Sequence, residues 1–323
     1  MSFLIGIGTG IGLGAVDGAG GGGGSSFILD DYPNALGAFA LRKLKSSYSG
    51  NPIHIARTTI GFTEEVNVGF DSNDEVSMDS PVTAVVGTTA ATNLGEFLWS
   101  ATYTNPDGLP APASSAVVTW YDQSGNGFNL GQLPTAVYRP AFNGAGTFYD
   151  LNGKPSIYFD GSNDELTEGS VFGLGNTISD VVQFSVQQFE DTRWTMARGG
   201  HNGDYYLQGH NVGAAQPYGT SPGTNPPNVI FKNGVELIAP TTQDIYDEFS
   251  NIATPPAGQT LLTFTGINFV GWNPVAFPIG YELWGYDGLL TKGRIQELIF
   301  YNAPNHPLQA SMEGAINNYY SIY

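Results

Sequence analysis

The amino-acid sequence predicts an all-β fold: a jelly-roll β-sandwich with a few short helices and a glycine-rich N-terminal extension. Three observations carry that prediction. Gly 44, Pro 20 and 13% aromatic residues describe many short strands joined by tight turns, because glycine supplies positive φ and proline pre-sets turn dihedrals. Short apolar, β-branched and aromatic runs recur along the chain and are broken by turn clusters such as Asp122-Gln123-Ser124-Gly125-Asn126-Gly127 and Asp160-Gly161-Ser162-Asn163-Asp164. Their spacing reads as a sandwich, not as βαβ units. At 323 residues the chain is long for one domain, yet all-β sandwiches reach this length as single units.

Residues 1 to about 26 intersperse glycine with Ile, Leu, Thr and Ala and end in the run Gly20 to Gly24 and two serines. The segment is either a flexible leader or an anchor. Glycine loses more freedom on ordering than any other residue, so an ordered form must dock on its own oligomer or on a larger assembly. The chain therefore divides into an extension, 1–31, and a sandwich, 32–323. From Tyr32 to Tyr48 the spacing of Leu36, Phe39, Ala40 and Leu44 predicts an amphipathic helix near 35–48, with Asn34 as N-cap and Gly50 beyond its end. Strands follow at Ile53 to Thr59, Val66 to Phe70, Ala116 to Tyr121, Ser156 to Phe159, Val181 to Val186, Leu261 to Phe269 and Gln296 to Tyr301. Residues 214–227 and 239–260 read as long exposed loops forming one rim of the sandwich. A C-terminal helix starts near Pro307, after the cap Asn305, and runs through Leu308, Met312 and Ile316 towards Tyr319. No internal repeat of fixed period is visible.

Composition excludes several function classes. A formal net charge of −18 with 11 Lys+Arg repels phosphate backbones, because nucleic-acid affinity comes largely from cationic side chains. With no cysteine, a disulfide framework, a thiolate metal site and a cysteine nucleophile are all ruled out. The apolar start Ser2 to Gly8 lacks a basic n-region and is too short to span a bilayer, so neither a secretory signal nor a membrane partner is expected. His54, His201, His210 and His306 are scattered without zinc-ligand spacing. The early Gly-x-Gly run precedes no βαβ unit, which removes a dinucleotide fingerprint. Asp160, Asn163 and Asp164 carry oxygens suited to a hard cation such as calcium, but a plain turn is the simpler reading, and no cofactor is expected.

Three stretches resemble the catalytic domain of fungal-type α-L-arabinofuranosidase B. They are Ala40 to Gly50, the block Val118-Thr119-Trp120-Tyr121-Asp122-Gln123-Ser124-Gly125-Asn126-Gly127, and Arg139-Pro140 followed by Gly153 to Gly161. The ending Gly293 to Asn302 is similar to the last strand of laminin-G-like and concanavalin-like domains. The resemblance covers about residues 36 to 323 and implies a concanavalin-like jelly-roll. The Trp-Tyr-Asp-Gln-Ser-Gly-Asn-Gly block is its specific part. Read from the residues alone, it is a strand end followed by a turn in which Asp122 and Ser124 bond the backbone, so it marks the fold rather than the chemistry.

A retaining glycosidase needs two carboxyl groups about 5 Å apart. The resemblance implies an acid/base in a Gly-Gly-Asp segment before the closing strand, where Gly285-Tyr286-Asp287-Gly288 stands here, making Asp287 the counterpart. The family nucleophile is a Glu in a Gly-Asn-Ala-Glu segment, where this sequence has Gly199-Gly200-His201-Asn202-Gly203-Asp204 and no Glu in register. Asp204 is the substitute, one methylene shorter, and ångström-scale misplacement is costly. The vicinal cysteines of the family are absent, and the reading leans away from an enzyme. Without a nucleophile the same rim suits glycan binding, since aromatic rings stack on sugars while amides bond hydroxyls. Trp194, His201, Asn202, Tyr205, Tyr206, Trp284 and Tyr286 are the ligand-binding candidates, with core packing or an oligomer contact as their alternative.

Sandwiches of this kind also resemble domains of bacteriophage virion proteins, found as head decorations, head fibres and tail-associated adhesins. That resemblance implies a virion surface protein made in the host cytoplasm, joined to capsid or tail proteins through residues 1–26, homo-oligomeric, and able to attach to a host-surface glycan. A symmetric oligomer would account for an ordered anchor. A glycoside hydrolase using Asp287 and a purely structural assembly sandwich are the alternatives.

Overall fold

A computed structural model of the chain describes residues 27–59, 62–98, 114–131, 139–144, 147–162, 164–168, 179–190, 194–198, 205–209, 229–237, 258–268, 270, 277–279, 292–302 and 309–323. Within them run α1 (Ile28–Asp31), β1 (Gly37–Ala40), β2 (Ile53–Thr59), β3 (Phe62–Val68), β4 (Val82–Val86), α2 (Leu94–Leu98), β5 (Ser114–Trp120), β6 (Leu130–Gly131), β7 (Ala141–Gly144), β8 (Thr147–Phe148), β9 (Asp150–Leu151) and β10 (Lys154–Pro155). There follow β11 (Ile157–Asp160), β12 (Leu166–Glu168), β13 (Val181–Phe189), β14 (Trp194–Arg198), β15 (Tyr205–Gly209), β16 (Val229–Lys232), β17 (Val235–Glu236), β18 (Thr260–Ile267), β19 (Phe277–Ile279), β20 (Lys292–Asn302) and α3 (Gln309–Tyr320). The fold is the all-β sandwich that the sequence predicts. Its main sheet runs β17-β16-β18-β13-β20-β11-β7-β5-β2-β3-β4, antiparallel throughout, with β1 on β20 and the short strands β6, β12 and β19 extending from β5.

Strand alternation separates two apolar layers. Ile53, Ile55, Val66, Val117, Trp120 and Phe142 meet Phe264, Leu298 and Phe300 in the inner core, between the two halves of the sheet. On the opposite face of β13, β18 and β20, Val182, Phe184, Val186, Leu261, Ile299 and Tyr301 pack on Ile28, Leu29, Met312, Ile316 and Tyr320 of the helices. The C-terminal helix thus uses the expected Met312 and Ile316, while Asn305, Pro307 and Leu308 lie outside the described residues. In α1, Leu29 N–H bonds Leu44 O at 2.8 Å. Residues 1–26 and the loop 214–227 lie outside the described residues, as does 239–257.

The helix expected near 35–48 is not formed. Gly37–Ala40 is a strand, with Gly37↔Phe300 and Ala40↔Glu297 in register, and Asn34 adopts φ 69 instead of capping. The physical reason is burial on both sides. Phe39 and Leu41 enter the inner core while Ala38 and Ala40 enter the helix-covered layer, so a period of two is hidden inside an apolar run that also satisfies a helical spacing.

The turn block after β5 completes this strand. Ala38 N–H donates to Asp122 Oδ1 (2.9 Å), and Gln123 N–H returns a bond to Ala38 O (2.7 Å). Gln123 Oε1 accepts from Leu44 N–H (2.8 Å), and its Nε2 donates to Ala40 O (2.9 Å) and Arg42 O (3.0 Å). Asn126 Nδ2 reaches Ala35 O and Leu36 O at 2.9 and 3.0 Å. The remaining Asp122 contacts close its own turn, from Ser124 N–H and Oγ, Gly127 N–H and Phe128 N–H. The edge of β1 away from β20 is therefore bonded by side chains. On the other side, Arg42 forks onto Glu297 at 2.7 and 3.0 Å beneath the ring of Tyr319, and Tyr320 Oη bonds the same carboxylate at 3.1 Å, tying β1, β20 and α3 together.

Gln123→Ala leaves Leu44 N–H and the Ala40 and Arg42 carbonyls without these partners, and at ~1 kcal/mol per lost bond the variant is expected to lose about 3 kcal/mol of stability. Urea unfolding followed by tryptophan fluorescence checks this; a loss below about 1 kcal/mol would show that water replaces the amide freely.

Candidate functional site

Register brings the ends of β11 and β13 and the starts of β18 and β20 together at one end of the sheet. Asp160, the last residue of β11, pairs with Lys292, the first of β20. Gly293 pairs with Phe189 at the end of β13, and Gln187 pairs with Thr260 at the start of β18. In the sequence Trp194 follows the end of β13, and Trp284, Tyr286 and Asp287 precede the start of β20. Trp194 opens β14, which forms a hairpin with β15, with Trp194 opposite Gly209 and Arg198 opposite Tyr205. Four residues of strand separate those two pairs, ~13 Å at the usual rise. The backbone of Trp194, Tyr205 and Tyr206 is thus placed on one ribbon, whose strand β14 lies beside β19. His201, Asn202, Asp204, Trp284, Tyr286 and Asp287 lie outside the described residues.

The same end carries polar groups buried in the sandwich. Val181, Gln183, Ser185 and Gln187 alternate along one face of β13, opposite Phe300, Leu298 and Ile295 of the inner core, and all four are buried. Among the described residues, neither amide atom of Gln187 has a hydrogen-bond partner, which is unusual for a buried polar side chain. On the other face Arg294 bonds Gln188 (2.8 Å) and Glu190 and stands over Tyr149 and Tyr158, whose rings are 4.8 Å apart.

The acidic turn that follows β11 is held by its own backbone. Ser162 N–H donates to Asp160 Oδ1 and Asp160 N–H to Asp164 Oδ2, each at 2.6 Å. These oxygens serve the turn, as the simpler reading of the segment expects; Asn163 lies outside the described residues. Among the described residues no group of three or more His, Cys, Asp or Glu side chains has the arrangement of a metal site. Asp164 and Glu165 are nonetheless both buried, immediately before β12.

Comparison with solved structures finds arabinofuranosidases similar to this chain. A mutant GH54 α-L-arabinofuranosidase soaked with 4-nitrophenyl α-L-arabinofuranoside is similar at 15% identity and a TM-score of 0.45. An arabinofuranosidase complexed with arabinofuranosyl-α-1,2-xylobiose is similar at 14% identity and a TM-score of 0.41. Each match covers 90% of this chain and 64% of the other, so the chain spans under two thirds of those enzymes. The likeness concerns the fold alone. No family model matches the sequence, and no curated protein matches it.

Two features of this end escape the sequence reading. The inward side chains of β13 had a visible signal, since Gln183, Ser185 and Gln187 occupy every second position of an otherwise apolar strand. Asp164 had none, because its burial follows from the return of the chain into β12. Burial, reinforced by the nearby Asp160 charge and opposed by the bond from Asp160 N–H, pushes its carboxyl above the ordinary aspartate range, up to about 7. A carboxyl that titrates near neutrality at a strand end holds its proton under conditions where an exposed aspartate has lost it.

Stability becomes pH-dependent as a result. Between pH ~4 and ~7 the folded chain keeps a proton on Asp164 that the unfolded chain has released, so stability falls as pH rises through that window, by ~1.4 kcal/mol for each pH unit crossed. Asp164→Asn keeps an oxygen for Asp160 N–H and removes the titration. Thermal unfolding from pH 4 to pH 8 should find the native chain losing stability relative to the variant by about 2 to 4 kcal/mol. Parallel curves would show that Asp164 is ionised throughout.

Proposed function

We propose that this chain is a glycan-binding surface sandwich of a bacteriophage virion, seated as a head decoration, head fibre or tail-associated adhesin. The observation that carries the binding half is the convergence of strand ends described above. Trp194, Tyr205 and Tyr206 follow β13 in the sequence and Trp284 and Tyr286 precede β20, and the proposal is that these segments meet at that end, beside buried amide and carboxyl groups. Rings for stacking and amides for hydroxyls are what an uncharged sugar requires.

Charge supports the same class of ligand. Arg42–Glu297, Lys43–Asp74, Arg57–Glu64, Arg139–Glu65, Lys154–Glu75 and Arg294–Glu190 are ion pairs within the fold. With six of the 11 Lys and Arg engaged internally in a chain of net charge −18, the charge balance disfavours polyanions. The virion half rests on the resemblance to virion domains and on the Gly-rich segment 1–26, the proposed contact with capsid or tail proteins. Homo-oligomerisation and a place on the particle surface belong to the same proposal.

A second reading is an arabinofuranoside hydrolase, favoured by Asp287 within Gly285-Tyr286-Asp287-Gly288 in the connection that enters β20. One experiment separates the readings: the full chain is applied to a glycan array and, in parallel, incubated with 4-nitrophenyl α-L-arabinofuranoside. Binding to uncharged glycans, weakened about tenfold or more by Trp194→Ala through loss of stacking, supports the proposal. Release of 4-nitrophenol that disappears in Asp287→Asn replaces it with the hydrolase. Absence of both leaves a purely structural sandwich.

A further inference from the structure

The far edge of the sheet carries a strand unlike the rest. β4 is the last strand on its side, paired only with β3. Gly69 N–H donates to Pro81 O, so the pair Asn67 and Thr83 exchanges the next ladder bonds and the backbones of Val82 and Ala84 turn outward. Val82 N–H takes Thr92 O at 3.2 Å. The same return segment bridges Pro81 through Asn93 and bonds Ser80 O from Leu94 N–H at 2.8 Å, and past Val82 no further backbone bond among the described residues occupies the outer edge. A register shift opposite Glu65 and Val66 brings Val85 and Val86 out together, 48% and 46% exposed, on a strand where Thr83 and Ala84 are also exposed and Val82 is partly buried against the inner core.

Charge is absent where it would be expected to protect. From Pro81 to Leu94 the chain has no Asp, Glu, Lys or Arg, in a protein of net charge −18. The nearest carboxylates on β3 are already neutralised, Glu64 by Arg57 and Glu65 by Arg139. Exposed edge strands are ordinarily guarded by charged side chains, and this one has none. The edge is also the place where two copies of so acidic a chain can meet without opposing carboxylates.

We infer that β4 is a self-association edge, on which a second copy of this chain adds its own β4 antiparallel about a two-fold axis. Such a pair is isologous: it places Val, Thr and Ala of one copy against the same residues of the other and joins two sheets into one. The inference is independent of any ligand at the opposite end of the sandwich.

Sedimentation equilibrium of the full chain across a wide concentration range tests it, with Ala84→Pro and Val85→Lys as probes. Proline at 84 removes an outward N–H and leaves the ladder with β3 intact, and lysine at 85 places like charges across the two-fold. Concentration-dependent dimerisation that weakens at least tenfold in both variants, with unchanged far-UV circular dichroism, is the expected result. If one variant misfolds, the other still reads the edge. A chain that stays monomeric at every concentration overturns the inference. So does association that survives both substitutions, including association that is lost only on deletion of residues 1–26.

Discussion

The fold depends on how the backbone of β1 is satisfied. A strand buried on both faces must bond both of its edges, since a buried amide left unpaired costs about as much as a hydrogen bond contributes. β20 serves one edge of β1 through an ordinary ladder. At the other, Asp122, Gln123 and Asn126 take the place of a neighbouring strand. Side chains reach where a further strand has no room, and the inner core around Phe39 and Trp120 closes beneath them. With the strand held in this way, Arg42 is positioned to engage Glu297, and Tyr319 and Tyr320 can close over both.

This arrangement explains what the sequence disclosed and what it concealed. Strands such as Ile53–Thr59 were legible because one face is apolar and the flanks are turn residues. The same holds for Val181–Phe189 and Lys292–Asn302, which run past the predicted bounds through largely polar residues, Gln187 to Phe189 in one and Lys292 to Ile295 in the other. The segment at 37–40 was not legible, because burial of both faces erases the polar half of the alternation. The Asp122 block stood out as a fold marker, and its turn bonds were foreseeable. Its bonds to Ala38, Ala40 and Leu44 were not, since they span some eighty residues of chain. At the candidate site, the convergence of strand ends is a property of register, and the sequence supplied the aromatic residues without the topology that relates them.

Outer-face pairs such as Arg42–Glu297 and Lys154–Glu75 fasten elements to one another, and the Tyr319 ring lies over both cations. Among the described residues, buried polar atoms without a hydrogen bond occur both at the end shared by β11, β13 and β20, at Gln187, and in the other half of the sheet, at Ser115, Trp120 and Asn143.

The pairing of β1 with β20 also sets the order in which the molecule can be made. Arg42 and Glu297 are 255 residues apart, and a ribosome adding ~5–20 residues per second needs roughly 13 to 50 s to cover that distance. Throughout that interval the nascent chain carries the apolar run Leu36 to Leu41 without the ladder that will bury it. Most of the sandwich is synthesised before its earliest strand has a mate. Folding of such a non-local topology is therefore intrinsically slow, and the growing chain depends on whatever shields that run until Asn302 has emerged.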